Sequence, residues 1–103
     1  KQFEAIWQRN GGPELIKEFK VSDERDFRND YLHAPTRIII ELDGGVYTGG
    51  RHVRPKGFID DCVKLNIATM AGYSVIRIPT GFATDFYLSQ IIKFIQTKET
   101  QSS

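Results

Sequence analysis

Three consecutive isoleucines, Ile38-Ile39-Ile40, constrain this chain more than any other feature. A strand that is apolar on both of its faces has to lie inside a sheet covered on both sides. The segment Arg37 to Asp43 therefore predicts a central strand with helices above and below it. The same segment ends Glu41-Leu42-Asp43, so carboxylates follow directly on its most apolar stretch. With 103 residues the chain has room for one domain, residues 1–103, a size that buries roughly two-thirds of the unfolded surface without disulfides.

The flanking pattern fills in the layers. Phe3, Ile6 and Trp7 make one helical stripe over Lys1 to Arg9, stopped by Asn10-Gly11-Gly12-Pro13. The chain begins at Lys1 already inside that pattern, which is the expectation for an N-terminal helix truncated at its start. Leu15 to Val21 alternates imperfectly as a first strand, and Asp26 to Leu32 reads as a second. His33 to Thr36 is a turn before the isoleucine strand. Gly44 to Lys56 is a long glycine-rich loop. Phe58 to Ala71 is a helix with Phe58, Cys62, Leu65 and Thr69 on one stripe and Gly72 as its C′ residue. Tyr73 to Pro79 is a fourth strand, Asp85 to Thr97 a closing helix, and 98–103 a polar, frayed tail. The order α-β-β-β-α-β-α predicts an α/β sandwich with a mixed sheet flanked by helices.

Charge and cysteine content limit the function classes. Fourteen basic against thirteen acidic residues give a net charge of +1, so any surface for a polyanion has to be local. The single cysteine excludes an internal disulfide and a multi-cysteine zinc site, and it suits a reduced, cytoplasmic setting. No apolar run approaches the ~20 residues of a membrane span, so no membrane partner is expected.

The chemistry concentrates between Asp30 and Asp43. If the turn at 33–36 joins antiparallel strands, Leu32 pairs with Arg37 and Asp30 with Ile39, so Asp30 shares a face with Glu41 and Asp43. Clustered carboxylates repel one another unless a cation neutralises them, and hard oxygen ligands favour Mg²⁺ or Mn²⁺. The competing reading makes Asp30 and Asp43 solvated strand ends and pairs Glu41 with a basic side chain. The loop that follows carries Arg51, His52, Arg54 and Lys56 without an acid from Val46 to Ile59. A basic, glycine-rich loop beside carboxylates suits a phosphodiester, with cations on the phosphates and a metal polarising one of them.

At these residues the sequence resembles a family. Ile16 to Val21, Phe27-Arg28-Asn29-Asp30-Tyr31 and Ile38 to Gly45 look like the PD-(D/E)XK nuclease core. The closest likeness is to small phage-type endonucleases related to very-short-patch repair enzymes and to Holliday junction resolvases. Gly50-Arg51-His52-Val53-Arg54 is the most specific part of the match, which continues through Asp61 and Lys64 to Gly72–Arg77. The resemblance implies a restriction-endonuclease-like α-β-β-β-α-β core. It makes Asp30 and Glu41 ligands of Mg²⁺ (Mn²⁺ as substitute), with the Leu42 carbonyl in the same shell. Asp43 and Glu4 would complete that shell, Glu4 from the first helix. Arg51, His52, Arg54 and Lys56 would grip DNA. Asp43 stands where the family carries a lysine, so water activation is open between Lys64 and His52; an i,i+4 pair of Lys64 with Asp60 is the plain alternative.

The implied activity is a Mg²⁺-dependent DNA endonuclease, a phage-type Holliday junction resolvase acting on branched DNA as a homodimer in a bacterial or phage-infected cell. Two other readings stand beside it: a monomeric mismatch- or site-nicking repair or homing endonuclease, and a non-catalytic nucleic-acid-binding module of the same fold.

Overall fold

The structure is a computed structural model that describes residues 2–22, 27–43 and 55–102, with backbone alone at Pro55, Lys56 and Ser102. Its elements are α1 (Gln2–Arg9), β1 (Ile16–Phe19), β2 (Asn29–His33), a 3₁₀ turn (Ala34–Thr36) and β3 (Ile38–Asp43). They continue with α2 (Pro55–Met70), β4 (Ser74–Pro79) and α3 (Asp85–Ser102). The strands form one sheet in the order β1-β2-β3-β4. β1–β2 and β2–β3 are antiparallel and β3–β4 is parallel, as a crossover through a helix requires. The chain is therefore α/β, with a four-stranded mixed sheet between helices.

The three isoleucines are each fully buried and divide between two faces. Ile38 and Ile40 pack with Phe3, Trp7 and Tyr31 and with Leu88, Ile92 and Ile95 of α3. Ile39 packs on the other face with Leu32 and with Ala68 of α2. A strand apolar on both sides can be satisfied only in this central position.

Local chemistry sets the element ends. The Gly72 and Tyr73 N–H groups return to the Thr69 and Ala68 carbonyls at 3.0 Å each, with Gly72 at φ 94°. This is a Schellman stop whose left-handed residue favours glycine. α1 stops the same way at Gly11, and a Cβ on the next residue, Gly12, would collide with the Trp7 indole. The indole N–H donates to the Pro13 carbonyl at 2.8 Å, which fixes the ring over the sheet. Thr84 caps α3 through its hydroxyl, which accepts the Tyr87 N–H at 3.2 Å.

Four expectations change. The hairpin register is Tyr31↔Ile40, Leu32↔Ile39 and His33↔Ile38, not Leu32↔Arg37. The four-residue connection is Ala34–Arg37, because Pro35 seats a 3₁₀ turn and Arg37 closes it at φ 58° with its N–H on the Ala34 carbonyl. Both strand ends move by one residue, so the pairing shifts by two and every side chain keeps its face. His33 is accordingly a buried strand residue. The polar tail is not frayed: α3 runs to Ser102, and a Glu99 oxygen lies 3.4 Å from the His33 Nε2. α2 buries Ala68, at 1% exposed, and not the whole Phe58 stripe, since Phe58 is 61% exposed; Asp61, Lys64 and Ala68 line the space over the sheet, with Leu65 the one member of the stripe beside them. β1 is shorter than expected, and Glu18 at φ 54° explains its imperfect alternation. Lys17 meets Glu4 of α1, while Phe19 packs in the cluster beneath α2.

Candidate functional site

The hairpin pairing ends at Tyr31↔Ile40, and Asp30 and Glu41 are the next residues of the two strands. The two carboxylates are interlocked through the main chain. Asp30 Oδ2 accepts the Leu42 N–H at 2.7 Å, and Glu41 Oε2 accepts the Asp30 N–H at 3.1 Å. Each side chain is therefore oriented by the strand that carries the other, which leaves little rotamer freedom to remove on binding a ligand.

Helix α2 brings a cation to this pair. Lys64 Nζ donates to Glu41 Oε1 at 3.0 Å, and both side chains are largely covered. Burial pushes the Glu41 carboxyl above the ordinary carboxylate value; Lys64 opposes that shift, and the nearby Asp30 charge adds to it. Burial is the larger effect because a carboxylate loses more hydration under α2 than one ammonium contact returns.

Strand β4 supplies a second cation. The parallel pairing places Arg77 beside Glu41. Its guanidinium is bidentate on Asp43, with Nε–Oδ2 3.1 Å and Nη2–Oδ1 2.9 Å, and it lies 3.8 Å from Asp61. The Thr80 hydroxyl donates to the Asp43 carbonyl at 2.7 Å, so both ends of Asp43 are held. Glu41, Asp61, Lys64 and Arg77 border a space of about 20 Å³ between α2 and the sheet, room for about one water-sized species.

The predicted residues thus separate into four groups. Asp30, Glu41 and Lys64 come together, with the Leu42 main chain among them. Asp43 is on the same face but committed to Arg77, so it does not join Asp30 and Glu41. Glu4 is on the opposite face: its carboxylate accepts the Tyr31 hydroxyl at 2.7 Å and pairs with Lys17 at 3.1 Å. Those two partners hold its pKa below the ordinary value. Tyr31 points there because strand alternation turns it away from Asp30, so a ligand on the α1 helix cannot meet the Asp30–Glu41 pair without leaving both partners. Arg51, His52, Arg54 and the side chain of Lys56 lie outside the described residues.

Arg77 and Asp61 are site residues that the sequence pattern does not single out. The signal for Arg77 is its alternation with Val75 on a strand parallel to β3, and for Asp61 its place one turn before Lys64 on α2. Among the described residues no group of three or more His, Cys, Asp or Glu side chains is arranged to hold a metal ion. No helix of the described residues is long and apolar enough to cross a membrane. Comparison with family models, with curated proteins and with solved structures returned no match.

Proposed function

We propose that this chain is a Mg²⁺-dependent DNA endonuclease in which Asp30 and Glu41 hold the ion. The interlocked Asp30–Glu41 pair is the observation that carries the reading. Two carboxylates fixed side by side, one of them half-buried, repel each other, and a divalent cation bridging them would offset that cost more fully than the single Lys64 contact on Glu41 does. Among the described residues Asp43 and Asp61 stand on this face with Asp30 and Glu41, and Lys64 and Arg77 pair with three of these four acids. Mg²⁺ keeps several waters and commonly takes only one or two protein carboxylates beside substrate phosphate, so a pair suffices without a third acid.

The hard-oxygen donor set fits such an ion, and the Leu42 carbonyl would complete the protein's share. When bound, the metal lowers the pKa of a water and offsets charge on the phosphate. The chain's own residues do the rest. The Leu42 and Asp30 N–H groups orient the two carboxylates, and Lys64 holds an ammonium beside Glu41 where the scissile phosphate would approach. The basic segment Arg51-His52-Val53-Arg54 would supply phosphate contacts. The element order and mixed sheet agree with the core that the resemblance implies, and branched DNA cut by a homodimer in a bacterial or phage-infected cytoplasm remains the substrate reading it favours.

The test uses purified protein with Mg²⁺ on a labelled four-way junction beside matched linear duplex, with Asp30→Asn and Glu41→Gln as variants. Cleavage should be lost in both variants with DNA binding kept, since removing negative charge also relieves repulsion toward phosphate. Near wild-type cutting by either variant would refute the metal assignment. Nicking of linear duplex by a monomer would favour the repair or homing reading, and metal-independent binding without cleavage the binding module.

A further inference from the structure

The two cations of the site are held in physically different ways. Arg77 grips Asp43 with two parallel hydrogen bonds from a planar fork, a geometry that releases its carboxylate reluctantly. Lys64 touches Glu41 through a single contact at 3.0 Å, on a flexible four-carbon stem anchored in α2. The oxygen it touches, Oε1, is the one not accepting the Asp30 N–H, and so it is the Glu41 oxygen left for a ligand. Lys64 therefore occupies the coordination position that a metal at Asp30 and Glu41 would need.

We propose that Lys64 is a displaceable internal counter-ion: a divalent cation takes its place on Glu41 Oε1, and metal loading itself releases the ammonium into the cleft. This rests on the metal reading above and adds a coupling to it. In the metal-free protein the ammonium shields a half-buried carboxylate; in the loaded protein it is free to face the anionic substrate. Asp43, locked by Arg77, takes no part in the exchange. The coupling keeps the carboxylates compensated in either state, which avoids an uncompensated charge under α2.

Manganese binding reads this directly, by titration of the protein with Mn²⁺ followed by electron paramagnetic resonance, without DNA or turnover. Lys64→Met, which keeps the stem and removes the charge, should bind Mn²⁺ about tenfold more tightly than wild type, the bias that an opposite charge at this range ordinarily puts on a carboxylate. Lys64→Arg keeps the competitor and should bind no more tightly than wild type. Lys93→Met on α3 makes the same change in net charge away from the site and should leave the affinity alone. Lys64→Gln substitutes for the methionine variant if that one fails to fold. Equal or weaker Mn²⁺ binding when Lys64 loses its charge, or an equal gain in Lys93→Met, overturns the displacement while leaving the metal site standing. Absence of saturable Mn²⁺ binding in the wild-type protein overturns the metal reading itself.

Discussion

Glu41 offers the sharpest test of the site's electrostatics, through the pH dependence of stability in Glu41→Gln against wild type. Glu41 titrates above its ordinary 4.5 in the folded protein, chiefly through burial. Below that value the carboxyl is protonated in both folded and unfolded chains and contributes no difference. As pH rises, the unfolded chain releases its proton first, and the folded state loses stability until the folded pKa has been passed. Each unit by which the folded value exceeds the ordinary one costs about 1.4 kcal/mol at neutral pH. For a domain near 100 residues, each kcal/mol moves the melting temperature by about 4–8 °C.

Glutamine cannot ionise, so this loss is absent from the variant. A constant offset remains, because one amide replaces two acceptor oxygens and either the Lys64 or the Asp30 N–H contact suffers, at about 0.5–1.5 kcal/mol. The prediction therefore concerns the change with pH and not the offset. Thermal melts in chelator, from about pH 4 to pH 8, should show the variant gaining on wild type as pH rises. Saturating Mn²⁺ should reverse the trend, because binding to the folded state stabilises wild type alone. A difference that stays flat or falls across the range would refute the assignment of burial as the dominant influence on Glu41.

Two further outcomes follow from other parts of the molecule. Arg51→Ala and Arg54→Ala should each weaken DNA binding alike for every sequence and reduce the slope of log affinity against log salt by about one unit; fluorescence anisotropy over a salt series checks this, and an unchanged slope in the double variant removes the loop from the interface. Ending the chain after Lys98 should lower the melting temperature by several degrees, at roughly 1 kcal/mol for the lost α3 turn and the Glu99–His33 contact; an unchanged melt would mean that this end of α3 contributes nothing to the fold.

Much of this architecture is decided by local pattern. Ile38-Ile39-Ile40 could be satisfied only between two layers, the Gly11 and Gly72 positions stop helices because φ is positive there, and period-two alternation puts Asp30 and Glu41 on one face under either register. Which residues meet across that face is a different matter. The Asp30–Glu41 interlock depends on a one-residue shift of the turn, forced by Pro35 and the left-handed Arg37. That arginine is held in turn by the Ala71 and Gly72 carbonyls at the end of α2 and by the Tyr73 ring. The partners of Asp43 and Glu41 come from β4 and α2, 34 and 23 residues away, and Glu4 is withdrawn from the site by a tyrosine 27 residues distant. Spacing along a chain specifies the direction of a side chain within its own element; the neighbour it finds is set by how the elements pack, and only the assembled sheet and helices determine that.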